Sequence, residues 1–495
     1  MKTRGFFVSN FGGIAKFATF IYLEKLIYMR KFNYFLALFL LSTFASCDKA
    51  KDEMEIAQER DVEKTEIERE YELDEMLALA SEPQRSQEEA LAIVRQLTVS
   101  SDGTTLKSSA LDEFEVDVVL SDKEPLTYSD ADGVEITPVD TVLYVINRKD
   151  DNGFFLVSGD KRLPDVLGYT SDGHLDKDKV DDESGMAVFL SRLPEYYELS
   201  LLEFQAKLDS LEALEEEDDE EPLTYKKKKY RYEYSAWVES SRSRNLVPVT
   251  WGQNRPYNLL APKIGNDTAV TGCVATATAQ LCASFRYPKS YNGLTYDWDL
   301  LTVEDWNSKL SNSQKEVFKW QVSHLFRSIG NKLGNDWGIK ETGASTGDVR
   351  NVLKSMGYSN TPGLSEYDCT GVVASILRGR PVIMSGKAER KRKGWWIFST
   401  TVYKKGHAWI CDGYMVQKRI KMKIRKSNNN VVSTDTETRA LLHCNWGWEG
   451  TNNGYFTPDV FESKAPVVPD DENAAVNKST NTYQYSIGNI LNIHP

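Results

Sequence analysis

The stretch TGCVATATAQLCASF, residues 271 to 285, places Cys273 directly after a glycine and directly before a run of small residues that reads as a helix. A cysteine in an apolar run is most often a small hydrophobic filler. Here the Thr271-Gly272 turn puts the thiol in the first helical turn, where backbone N–H groups and the helix dipole favour a thiolate over a thiol. Nucleophilic chemistry then needs a base, and the chain has five histidines. His174 lies in the N-terminal half, His494 beside the C-terminus, and His324 inside the helical pattern KWQVSHLFRSIG. His443 sits within the strand pattern LLHCNW and reads as structural. His407 differs, because it follows a glycine at the start of the strand in KKGHAWICDGY, where an imidazole can project from a sheet edge into a cleft.

A thiolate–imidazolium pair must be held in register, and the oxyanion it generates needs donors. The turn NWGWEGTNNGYF offers Asn445 to hydrogen-bond the histidine and Trp446 to shield that bond or to position the ring itself. Upstream, VTWGQNRPYN offers Gln253, whose side-chain amide suits an oxyanion donor beside the backbone N–H of Cys273. Taken singly, each of these residues also suits an ordinary core, turn or surface position. Their joint presence in the order Gln, Cys, His, Asn, Trp points to cysteine peptidase chemistry, with no metal or organic cofactor implied.

The elements that must position these residues follow from the patterning. After Val247, helices are expected at 273–286, about 312–330 and 345–356, followed by strands at PVIMSG, HAWICDGYMV, RALLHCNW and YQYSIGNILNI. Helices first and an antiparallel sheet second is an α+β pattern. Residues from about 86 to 210 read as a smaller α+β unit. It has a helix at SQEEALAIVRQL with apolar Leu91, Ile93, Val94 and Leu97, a hairpin around Asp151-Asn152-Gly153, and a helix from Met186. Between the two units, EEEDDEE and KKKK make residues 215–246 a charged linker expected to stay open to proteases.

From Met29, MRKFNYFLALFLLSTFASCDKA has a basic start, a short apolar run and small residues before Cys47, the layout of a cleaved signal peptide over residues 1–46. A cysteine directly after the small residues resembles a bacterial lipobox, so Cys47 is expected to carry lipid, with 47–85 a charged spacer from the membrane. Of six cysteines, five then remain, and an odd number cannot all pair. Whether Cys282, Cys411 and Cys444 pair is left open. The chain has 495 residues and 41% hydrophobic residues, enough for two folded units, and its net charge of −13 argues against a nucleic-acid partner.

The runs GCVATATAQ, GHAWICDGY and NWGWEGTNNGYF together resemble the streptopain family of bacterial cysteine peptidases, and GFFLVSGDKRLPDVLGYTSDG is similar to their inhibitory propeptide. The resemblance implies a papain-like peptidase domain at 247–495 and a propeptide domain at 86–214 that inhibits it. It makes Cys273 the nucleophile and His407 the base and acid. It also makes Gly406 and the Gly343-Ala344-Ser345 loop substrate contacts. The expectation is a secreted, lipid-anchored endopeptidase zymogen of the outer membrane or cell surface, monomeric, acting on proteins and peptides and tethered to the membrane through Cys47. A surface protein of the same fold that binds peptides without cutting them is the main alternative, and acyl transfer to an amine is a second. Two basic clusters depart from the family pattern, at 387–393 and at 418–425 within QKRIKMKIRKSNNN.

Overall fold

The computed structural model describes residues 66–100, 114–121, 126–127, 135–136, 139–149, 151–180, 184–216, 230–387, 406–462 and 487–495. The signal region, Cys47, the charged stretch 217–229 and nearly all of the 387–393 basic cluster lie outside the described residues.

The Cys273 helix follows directly from its composition. Among the described helices, α1 is Glu66–Ser81, α2 Gln87–Ser100, α3 Gly185–Glu216 and α4 Cys273–Phe285. The small side chains of α4 let its backbone lie deep in the protein, and every residue from Val274 to Ala283 is buried. The helix stops at Arg286, which turns left-handed and donates its N–H to the carbonyls of Cys282 and Ala283. Across it packs α5, Asn312–Leu333, whose start is fixed by a reciprocal Ser311–Gln314 capping box.

Twelve strands form one sheet. In chain order they are β1 Phe114–Leu120, β2 Thr141–Arg148, β3 Phe154–Ser158, β4 Val166–Thr170, β5 Tyr230–Tyr234, β6 Val238–Arg242, β7 Ser365–Glu366, β8 Val382–Lys387, β9 Gly406–Arg425, β10 Val431–Asn445, β11 Gly454–Phe456 and β12 Ile487–Ile490. The spatial order is β1-β2-β3-β4-β11-β10-β9-β8-β12-β7, with β5 and β6 added along β9. The two units therefore share one sheet, joined where β4 pairs antiparallel with β11 through Thr170 with Gly454, Tyr169 with Tyr455 and Gly168 with Phe456.

Alternation along β9 divides the interior into two cores. Ala408 and Ile410 face the helical side, with Val274, Leu281, Phe318 and Phe326. Trp409 and Cys411 face the other side, where α3 contributes Phe189, Leu190 and Leu193 against Trp446, Phe456 and Phe461. This second core is built from both units. Phe189 is fully buried, with its ring 4.9 Å from Phe456 and 5.9 Å from Phe461.

Two expectations are corrected. The spacer is a helix over its described part: Leu73, Met76 and Leu77 of α1 repeat at helical spacing and bury against Leu208 and Leu211 of α3. Nor is the linker open along its whole length, because residues 230–234 and 238–242 are strands paired to the outer half of β9. Their charged and aromatic side chains alternate along an edge that β9 supplies, a partner invisible from local composition.

Phe189→Ala should lower the stability of the full chain by about 3–5 kcal/mol, the cost of emptying a buried aromatic site. Urea unfolding followed by tryptophan fluorescence would measure it, and a change below about 1 kcal/mol would show that the shared core contributes little.

Candidate active site

Gly272 caps α4 with φ of 83°, a backbone region closed to most side chains, and a Cβ there would lie 2.7 Å from the Thr342 carbonyl oxygen. Glycine thus allows the loop after α5 to close on the turn that presents Cys273. Thr342 donates its hydroxyl to the Val270 carbonyl at 2.7 Å, and Asn335 donates to the Thr271 carbonyl at 3.0 Å. The same loop carries Gly343 and Ser345, both exposed, and Ala344, which packs with Cys273 on the helical core. Gly343 is pinned by paired backbone bonds to Asp336 of 2.9 and 3.0 Å.

The Gln253 carbonyl accepts the Thr271 N–H at 3.1 Å, which sets Gln253 beside the turn that leads to Cys273. Its side-chain amide is half-buried and makes no hydrogen bond among the described residues.

His407 opens β9 after the exposed Gly406 and is 3% exposed. Its Nε2 lies 2.9 Å from the Trp446 carbonyl oxygen. A carbonyl only accepts, so Nε2 carries a proton and donates it there, which leaves Nδ1 as the nitrogen able to take up a proton. The backbone N–H of Ala408, next in the chain, lies close enough to the Cys273 sulfur to favour its ionised form. Histidine and cysteine are thereby brought to one place.

The thiol itself departs from expectation. Burial raises the Cys273 pKa, and the backbone N–H groups of Ala408, Val274 and Cys273 only partly oppose it. Position at a helix start is outweighed by desolvation in this closed state.

Asn445 does not orient the imidazole. Its amide nitrogen donates to the Val249 carbonyl at 2.9 Å, while its oxygen accepts from Gln280 at 3.0 Å and from the Gly447 N–H at 3.3 Å. Trp446 does the orienting through its carbonyl, while its indole, 1% exposed, donates to the Asn452 carbonyl at 2.8 Å. Gln280 is the residue that sequence reasoning passed over. Fully buried on α4, it also donates to the Trp251 carbonyl at 3.1 Å, tying α4 to the strand end that carries Trp446. An uncapped amide two turns along an otherwise small and apolar helix was the available signal.

The remaining candidates sit apart. Cys282 is buried against Met356, with sulfurs 3.7 Å apart, and its pKa is pushed up to about 12 by burial. Cys411 and Cys444 face each other across β9 and β10 as free thiols 3.6 Å apart. His443 bonds Asp412 at 2.6 Å, and Asp412 in turn accepts the Val247 N–H at 3.0 Å, so this pair anchors the start of the peptidase unit.

Gly185, the first residue of α3, lies so close to Trp446 that a Cβ on it would be 2.1 Å from the indole. Val188, one turn on, packs near Gly386, which pairs with His407 across β8 and β9. The N-terminal unit thus rests on the wall that holds the histidine.

With a half-buried cysteine at a helix start and a backbone-anchored histidine at a strand start, the chain is a cysteine peptidase of α+β architecture, here with a second domain against the histidine wall. Residues 251–456 match the peptidase C10 family model and residues 84–196 the Spi protease inhibitor model. Streptopain of Streptococcus pyogenes is 26% identical over 365 residues, 65% of this chain and 75% of that one. The thiol protease/hemagglutinin PrtT of Porphyromonas gingivalis is 23% identical over 345 residues, 64% of this chain and 34% of the relative. Among solved structures, a prointerpain A fragment from Prevotella intermedia is similar at 20% identity and a TM-score of 0.41, covering 68% of this chain and 92% of that one. The chain is a cysteine endopeptidase zymogen with its inhibitory propeptide, similar to the streptopain family.

With the thiol pKa raised, iodoacetamide labelling of Cys273 in the full-length chain should be slow at neutral pH and rise only in the alkaline range. Removal of the N-terminal unit should shift that profile to lower pH. Labelling followed by mass spectrometry tests this, and an identical profile before and after removal would contradict it.

Proposed function

We propose that Cys273 is the nucleophile, His407 its base and acid, and Gln253 with the Cys273 backbone N–H the oxyanion site. The supporting observation is the His407 Nε2 contact on the Trp446 carbonyl together with the nearness of the Ala408 N–H, next in the chain, to the Cys273 sulfur. Nδ1 takes the thiol proton, and the thiolate attacks the carbonyl carbon of a peptide bond. The oxyanion of the tetrahedral intermediate accepts from the Gln253 amide and the Cys273 N–H. The imidazolium then gives its proton to the leaving amine, and the thioester is hydrolysed by a water that the same nitrogen deprotonates. Gly406 and Gly343-Ala344-Ser345, which flank the two catalytic side chains, contact the substrate backbone.

The finer reading is an exported lipoprotein, monomeric, anchored through Cys47 at the outer membrane or cell surface. The sequence MRKFNYFLALFLLSTFASC supports it through its basic start, short apolar run and small residues before the cysteine. Maturation falls in the charged stretch before β5, where EEEDDEE meets KKKK.

A mixed peptide library incubated with the activated enzyme should show cuts by mass spectrometry that Cys273→Ala abolishes. Gln253→Ala should lower kcat by roughly 10²- to 10³-fold with little loss of stability. No cuts, with reductant present, would favour a peptide-binding protein, and an unchanged rate for Gln253→Ala would place the oxyanion donor elsewhere.

Cys47→Ser should move the protein from the membrane to the soluble fraction. A variant that still sediments with membranes would overturn the anchor.

A further inference from the structure

The long hairpin formed by the outer halves of β9 and β10 extends well beyond the inner ends that carry His407 and Asn445, and four of its basic residues, Arg419, Lys421, Lys423 and Arg439, are spent on protein partners rather than solvent. Arg419 and Arg439 each reach Asp165 of the N-terminal unit, at 2.9 and 2.5 Å. Asp165 is 6% exposed and also accepts from the indole nitrogen of Trp237 at 2.8 Å. Both guanidinium groups lie over the Trp237 ring, 4.5 and 4.2 Å from its centre. Further out, Lys421 pairs with Glu75 of α1 at 2.6 Å and Lys423 with Asp74 at 3.4 Å, while Tyr234 donates to Glu75 at 2.8 Å. Lys423 is 2% exposed and lies 4.0 Å from the centre of the Tyr230 ring.

These contacts have a consistent polarity. The cations and aromatic rings belong to the hairpin and to the segment Tyr230–Arg242, and the carboxylates reached across the contact belong to the propeptide side; within the hairpin Glu437 also accepts from Arg419 at 2.6 Å and lies 3.8 Å from Lys421. Burial alone would raise the Asp165 carboxyl, yet Arg439 and Arg419 hold it well below the usual carboxylate range, so the site is built around a charged acid. A buried carboxylate stripped of its partners is costly, which makes the contact selective for an acidic segment correctly placed.

We propose that the hairpin Gln417–Arg439, together with Trp237, is a receptor for acidic polypeptide that retains the propeptide independently of the catalytic cleft. It rests on the propeptide reading of the N-terminal unit and adds a second anchorage, built from the basic insertion that departs from the family pattern. Cutting the chain between the units does not by itself release the inhibitor, because the receptor stays with the peptidase part and its occupants Asp74, Glu75 and Asp165 with the propeptide.

The test uses the full-length Cys273→Ala chain with a recognition sequence for a specific protease inserted after Pro222, so that the outcome does not depend on this protein's own catalysis. After cutting, the two pieces should co-elute in size-exclusion chromatography at moderate salt. Arg419→Ala with Arg439→Ala should weaken their association by about 100-fold or more, as expected when a buried carboxylate loses its partners. Lys421→Glu should weaken it less, and adding Glu75→Lys should restore it, a rescue that general loss of structure would not give. Circular dichroism of the uncut variants checks folding. Pieces that separate at once in the unsubstituted chain, undiminished association in the double alanine variant, or failure of the charge exchange to restore it would each overturn the proposal. Loss of catalysis in the parent enzyme would instead count against the peptidase roles and leave these outcomes readable.

Discussion

The hydrogen bond from His407 Nε2 to the Trp446 carbonyl is the constraint on which the site depends. On the proposed roles it fixes which ring nitrogen can take the thiol proton, and it draws the orientation of the ring from backbone rather than from a flexible side chain. A carbonyl can do this only if its own peptide is held. Asn445 and Gln280 supply that hold by linking β10, the Val249 and Trp251 segment and the nucleophile helix in one buried network. Within it the Gln280 carbonyl oxygen is buried without a hydrogen-bond partner among the described residues, so the hold comes from the Gln280 amide donors and from both polar groups of Asn445.

The same tryptophan carries latency. Its carbonyl holds the histidine while its ring receives Gly185 of α3, at a distance only glycine permits. Around it, Phe189 completes a core with Phe456 and Phe461, and β4 covers the edge of β11. The precursor therefore hides an apolar face and a strand edge, surfaces that a mature enzyme must expose. Burial of the thiol in this closed arrangement agrees with a raised Cys273 pKa.

Much of this was legible in the sequence, for physical reasons. Small residues after Gly272 announced a buried helix with a cysteine at its start, and glycine before His407 announced a strand edge; both elements lie where the patterning put them, α4 at Cys273–Phe285 and β9 from Gly406. Local chemistry could not separate two uses of an asparagine beside a tryptophan. Asn445 has the donor and acceptor to orient an imidazole, but those groups are consumed by Val249 and Gln280, residues far away in sequence. The charged segments were misread for a related reason. Charge blocks are solvated when alone, yet residues 230–242 find an edge on β9, and α1 finds both an apolar seat on α3 and cations on the hairpin. Complementary charge 346 residues apart in the chain, as between Glu75 and Lys421, leaves no periodic trace.

Nitrogen-15 NMR of the full-length chain, labelled at its histidines, reports directly on the central bond. With only five histidines, His407 can be assigned by comparison with a His407→Gln chain. The account predicts that Nε2 of His407 carries a proton, protected from exchange by its bond to the Trp446 carbonyl, with Nδ1 as the site that gains or loses a proton on titration. An Nε2 that is unprotonated, with the proton on Nδ1, would contradict it.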